Sequence, residues 1–240
     1  MKALVKELNN RGYMAEEKDV VKNGVTLHGI MVGEGPVKPV IYPEPNTTVD
    51  EIIAQYERFK GATFDTALFK DPEYIKSHVR IGLQKSSSQD LVKKRTKYKG
   101  IEQYLYVKIS DDAWFKLTTK MIAEDVWDQA KANTFKETVV TTMAQIMRDF
   151  DMDVPETPLY VVTNAAKYRG AANILDRKSL IKALGHGDFI VIPSSIHEVL
   201  ILPAEEYDNL SDLAQMVKEI NASQVAPEEQ LGDTVYKITL

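Results

Sequence analysis

"DFIVIPSSIHEVLILP", residues 188–203, decides how the chain folds. Two apolar runs, Phe189–Ile192 and Val199–Leu202, flank a short polar stretch holding Ser194, Ser195, His197 and Glu198. Apolar runs of this length, broken by proline and serine, predict a hairpin. Its two strands should sit inside a sheet, with the polar tip near the surface.

C-terminal to it, "NLSDLAQMVKEIN" puts Leu210, Leu213, Val217 and Ile220 on one helical face, and "TVYKITL" reads as a closing strand. On the N-terminal side, "LYVVTN" reads as a strand, "GAANIL" as small-residue helical material and "RKSLIKALG" as a helix. Further back, "EDVWDQAKAN" and "TFKETVVTTMAQIMRDF" both read as helices. Thr134 and Glu137 are spaced as a capping box for the second, and Val139, Met143, Ile146 and Phe150 fall at i, i+4, i+7 and i+11. "EQYLYVKI" and "AWFKLTTKM", either side of Ser110-Asp111-Asp112, predict a second hairpin. "SSQDLVKKRTKYKG" reads as a short basic helix, "RIGLQ" as a strand and "DPEYIKSHV" as a small helical piece. "TVDEIIAQYERFKG" is a helix capped by Thr48 and Glu51, and "MKALVKELNNRGY" a helix stopped at Gly12. Between these two, Asn23-Gly24 separates alternating runs as a two-residue hairpin turn does, and "PVIYP" completes a meander.

Strands and helices are mixed without regular βαβ alternation, which predicts an α+β fold of mainly antiparallel sheets with packed helices. Acidic and proline residues cluster at 150–158, so the expected division is an N-terminal α+β region, 1–150, and a C-terminal one, 151–240. The serine run Ser86–Ser88 is a second candidate boundary, and one continuous domain is the alternative.

Composition narrows the function. At 240 residues, 44% hydrophobic and 27% charged, the chain can bury a core without staples. It has no cysteine, which excludes disulfides, zinc ribbons, thiol catalysis and iron–sulfur clusters. The first residues lack the apolar region of a signal peptide, and no apolar run approaches the roughly 18 residues of a membrane span. A cytoplasmic protein with no membrane partner is the expectation. A net charge of −5 argues against indiscriminate nucleic-acid binding but leaves room for a local basic stripe.

Three residue types of a hydrolytic triad meet in the opening stretch. A serine nucleophile needs a histidine to take its proton and a carboxylate to orient that histidine. Ser195 and His197, two apart, share a face of a regular strand, while Glu198 points the other way. No GxSxG elbow accompanies them. The alternative is that the serines satisfy turn backbone groups and His197 and Glu198 begin the return strand.

The densest basic run is "KKRTKYK", with Lys93, Lys94, Arg95, Lys97 and Lys99 placed to neutralise phosphates and Tyr98 to stack on a base. A solvated helix face is the alternative. His28, His78, His186 and His197 stand without metal-ligand spacing, so no metal is expected. Asp149, Asp151 and Asp153 begin like a calcium loop, but Val154 and Tyr160 occupy positions that need glycine and glutamate. Gly33 and Gly35 are followed by Pro36 rather than a helix, and no phosphate loop is present, so no cofactor is expected.

"AKANT" (130–134), "LYVVTNAAKYRGAANIL" (159–175), "IPSSIHEVLILP" (192–203) and "MVKEINASQVAPEEQLGDTVYKI" (216–238) resemble an uncharacterised bacterial family, the domain of unknown function numbered 5688. Weaker echoes lie in "NGVTLHGIMV" and "DEIIAQYERF". The family's IPSSIHEVLILP element falls here on Pro193, Ser194, Ser195, His197 and Glu198, and the resemblance implies no activity. The chain departs in its shortened, threonine-rich "KLTTKMIAEDVW". The expectation is a non-enzymatic protein acting through an unidentified protein partner, as a regulator or antagonist. A hydrolase using Ser195 and His197, and nucleic-acid binding through residues 93–99, are the alternatives.

Overall fold

The structure, a computed structural model, describes residues 1–35, 37–61, 68, 70–109, 114–121, 125–152, 154–207 and 209–240. The expected turn at Ser110-Asp111-Asp112, together with Pro36 and Asp153, lies outside the described residues. The chain divides into two compact units, 1–70 and 71–240. The expected boundary at 150–158 falls inside the second of these units.

In the first unit, α1 (Lys2–Asn10) leads to the meander β1 (Ala15–Lys22), β2 (Val25–Val32) and β3 (Val40–Ile41), followed by α2 (Val49–Gly61). Asn23 and Gly24 take φ of 48° and 83°, the left-handed pair that a tight hairpin turn between Lys22 and Val25 requires. Thr48 and Glu51 form their capping box. The Glu51 carboxylate accepts from Thr48 N–H at 2.7 Å, and Glu51 N–H donates to Thr48 Oγ1 at 3.3 Å. Leu8, Ile30, Val32, Ile41 and Ile52 make the core.

The second unit holds α3 (Pro72–His78), β4 (Val79–Lys85), β5 (Lys93–Arg95), β6 (Ile101–Lys108), β7 (Trp114–Lys116), α4 (Trp127–Phe135), β8 (Thr138–Thr142) and α5 (Met143–Arg148). β9 (Tyr160–Asn164), a 3-10 turn at Gly170–Leu175, α6 (Arg177–Leu184), β10 (Asp188–Ile192), β11 (Val199–Pro203), α7 (Leu210–Gln224) and β12 (Tyr236–Thr239) complete it. The opening hairpin is β10–β11, paired from Phe189↔Pro203 to Ile192↔Leu200. It lies inside a five-stranded antiparallel sheet of order β12-β10-β11-β9-β8. A second antiparallel sheet runs β4-β6-β5, with β7 also on β6. Ile81, Leu105 and Val107 of that sheet share one core with Val162, Val191 and Ile201 of the other. The fold is α+β with mainly antiparallel sheets.

Two elements differ from the sequence reading. The basic run is an edge strand, not a helix: Lys93–Arg95 pair with Tyr104–Glu102, while Leu91 is buried beside Tyr104 and Tyr106. Charged side chains are what an edge strand tolerates. "TFKETVVTT" is not a helix start either. Thr138–Thr142 are five consecutive β-branched residues, which favour the extended backbone and pair with β9. Thr134 consequently lies within α4, where its hydroxyl donates to Ala130 O at 2.7 Å and accepts from Ile81 N–H at 2.9 Å. Glu137, freed from a capping role, pairs with Arg80 at 3.0 Å.

Candidate functional site

The hairpin tip brings Ser195, His197 and Glu198 together but not in the order of a triad. The Ser195 hydroxyl donates to Glu198 Oε1 at 2.9 Å and accepts from the N–H of His197 at 3.0 Å and of Glu198 at 3.3 Å. One donor and both lone pairs of that hydroxyl are thereby used. His197 turns elsewhere: its Nδ1 accepts from Arg169 N–H at 3.1 Å, which leaves the proton on Nε2, 3.3 Å from Glu229 Oε1. Among the described residues no hydrogen bond joins the imidazole to Ser195 Oγ. The three side chains brace a turn and tie it to its neighbours, a different arrangement from nucleophile, base and orienting acid.

Only part of the tip reaches the surface: Ser194, His197 and Glu198 are half-buried, while the two residues between them are covered. Ser195 is 4% exposed and Ile196 8%, because Ile196 N–H donates to Glu229 O and Ser195 bridges Gln230, so the segment after α7 covers them. Ser195→Ala should strip the acceptor from two backbone N–H groups in a buried turn. The expected loss is about 1–2 kcal/mol, read as a lower urea midpoint at unchanged m-value. An unaltered midpoint would show that the hydroxyl does not hold the turn.

The basic run is partly engaged within the fold, with Lys94, Arg95, Lys97 and Lys99 exposed. Lys93 donates to Ser87 O and lies 3.4 Å from Glu102, and the Lys94 ammonium sits 4.5 Å from the Trp127 ring centroid. Tyr98 is 2% exposed, packed edge-on to Tyr236, and burial pushes its hydroxyl well above the ordinary phenol range. A ring so enclosed cannot stack on a base. Lys97 lies 5.3 Å from the Tyr98 ring centroid, and its ammonium is held below the usual lysine range by burial and then by Arg177. The Lys99 carbonyl accepts from the Tyr236 hydroxyl. Arg95 is exposed at the strand edge.

An apolar groove is the feature that sequence reasoning missed. It encloses about 440 Å³ beside α7 and one face of β10 and β11, with walls that include Ile192, Leu200, Leu213, Val217 and Leu159, the residue before β9. Met216 and Ile220 of α7 also line it, yet are 45% and 50% exposed. Glu206 is the one charged residue among its described lining residues. The signal was present: Met216 and Ile220 widen the apolar face of α7 beyond what Leu213 and Val217 bury.

Among the described residues no group of three or more His, Asp or Glu could hold a metal ion, and no helix is long and apolar enough to cross a membrane. Residues 107–238, more than half of the chain, match the model of a family of unknown function, DUF5688. That span contains the hairpin, α7 and the groove. No curated protein and no solved structure matches the chain.

Proposed function

This chain belongs to the DUF5688 family, and we propose that it is a non-enzymatic cytoplasmic protein that binds another protein, as its regulator or antagonist. The groove beside α7 receives an apolar helical segment of that partner, flanked by basic residues. The observation that carries this reading is the exposed pair Met216 and Ile220 at the mouth of an apolar groove. Apolar side chains continuing outward from a cavity mark a surface that a partner covers. Methionine, unbranched and polarizable, suits such a contact because it adapts to the shape laid against it.

Charge selects the occupant. Glu206 lines the groove, Glu205 adjoins it, and no lysine or arginine is among the described lining residues. A segment with lysine or arginine beside its apolar face complements that rim, and an acidic one is repelled. An amphipathic helix presenting side chains at i, i+3 and i+4 is the form that fills a groove walled by a helix and a sheet.

A labelled 18-residue peptide of leucine and lysine at helical spacing is the probe, with its leucine–glutamate counterpart as control, both read by fluorescence anisotropy. The basic peptide should bind and the acidic one should not. Met216→Asp combined with Ile220→Asp should weaken binding tenfold or more, since each buried aliphatic side chain contributes about 1.5–3 kcal/mol and about 1.4 kcal/mol is a factor of ten. Both side chains are half exposed, so the fold should survive the change. Equal binding of the two peptides, or a variant that binds like the wild type, would overturn the proposal.

A further inference from the structure

The four-stranded sheet has one aliphatic face and one face of charges and rings. Register places Arg80 beside Tyr106 and Lys116, Gly82 beside Tyr104 and Lys93, and Gln84 beside Glu102. Strand alternation keeps all of these opposite Ile81, Leu83 and Leu105, which enter the core. Gly82 is what lets the Tyr104 ring lie across β4, since a Cβ there would come within 2.6 Å of the ring carbon Cζ.

Two cations converge on that ring. The Lys116 ammonium lies 4.7 Å from its centroid, and Arg169 Nη1 donates to its hydroxyl. The Arg169 guanidinium also lies 3.5 Å from the centroid of Trp114, whose indole N–H donates to the Tyr168 hydroxyl at 3.2 Å. Neither cation has a carboxylate partner among the described residues. Lys116 donates to two neutral amide oxygens, Gln84 Oε1 at 2.7 Å and Gln89 Oε1 at 3.4 Å. The acids nearby are committed elsewhere: Glu102 accepts from Gln84, Ser87 and Lys93, and Glu137 from Arg80. The Nε of Arg169 is buried with no hydrogen-bond partner among the described residues.

We infer that Lys116 and Arg169 together bind an oxyanion, the carboxylate or phosphate group of a small ligand, beside the ring of Tyr104. Two like charges drawn into a half-buried place without a counter-ion repel each other and lose hydration, and an anion between them relieves both costs. A guanidinium and an ammonium are the pair that grips a multi-oxygen anion, the first by its planar fork and the second as a point charge. Burial first, and then Arg169, push the Lys116 ammonium down to about 8, against the opposing pull of Glu102. Among the described residues, Arg80, Lys93, Arg95, Glu102, Lys108, Glu137 and the phenols of Tyr104, Tyr106 and Tyr168 are the other ionisable groups on this face.

The test is the melting midpoint of the full chain at about pH 7 and fixed ionic strength, in chloride, inorganic phosphate or benzoate. Phosphate or benzoate should raise the midpoint saturably above the chloride baseline, and whichever acts more strongly identifies the anion's class. The rise should vanish in Lys116→Met, while Lys99→Met keeps it. With benzoate, which does not titrate in this range, the rise should shrink between about pH 7 and about pH 9 as Lys116 loses its proton. Lys116→Gln serves if Lys116→Met does not fold. No rise above chloride, or the same rise without the lysine, would overturn the inference.

Discussion

Gly170→Ala is expected to lower the melting midpoint by roughly 6–12 °C, from a loss of about 3 kcal/mol. A Cβ at this position would lie 2.4 Å from Thr163 Oγ1, 2.5 Å from Asn164 N and 2.8 Å from His197 O. The hydroxyl can rotate away, but the other two atoms are backbone and cannot. Gly170 follows Arg169, whose φ of 53° turns the chain back toward β9, and Ala171 N–H then donates to Ile196 O. Relief would require the 3-10 turn, β9 and the hairpin tip to separate. Thermal unfolding followed by circular dichroism measures the change. A shift under about 2 °C would mean that the turn is not seated against β9 and the tip.

The Arg80–Glu137 pair should give an effect of similar size. The Arg80 side chain is 10% exposed, and its Nη2 donates to Glu137 Oε1 at 3.0 Å. Removing the acid strands a buried guanidinium on β4, where its Nε already lacks a partner among the described residues. Breaking a buried pair from one side costs on the order of 3–5 kcal/mol, and because Glu137 is 29% exposed the lower end, about 3 kcal/mol, is expected for Glu137→Ala. Glu137→Gln keeps a hydrogen-bond acceptor and should lose less. Arg80→Met combined with Glu137→Ala should recover most of the loss, because it removes the stranded charge. Urea titration of the three variants decides. A loss of only about 1 kcal/mol in Glu137→Ala, unrelieved by Arg80→Met, is what a helix-capping role would give instead.

Those two residues also show where sequence reading stopped. Asn23-Gly24, the Thr48–Glu51 box and the two apolar runs of 188–203 were legible because each depends on residues a few positions apart. Thr138–Thr142 was misread because Val139, Met143 and Ile146 match a helical period by coincidence. The run of β-branched residues, which favours a strand, was the stronger signal. Lys93–Arg95 was misread for the opposite reason: nothing local distinguishes an edge strand from a solvated helix face. At the hairpin tip, Ser195, His197 and Glu198 could be picked out by type, but not their bonds, since Arg169 and Glu229 reach them from distant segments. Lys116 and Arg169 meet only because β7 and the turn before residue 170 come to the same ring. The groove lay half in view, in the surplus apolar residues of α7.

The most direct measurement of protein binding at that groove is a titration of the basic leucine–lysine peptide into protein carrying labelled Ile, Leu, Val and Met methyl groups. Shifts should concentrate on Ile192, Leu200, Leu202, Leu213, Met216, Val217 and Ile220, which line the groove, and spare Leu105 and Val162 in the shared core. Shifts that centre on Val92 and Ile101 beside the basic strand, or no shifts while the peptide stays in excess, would contradict a groove built to receive a partner.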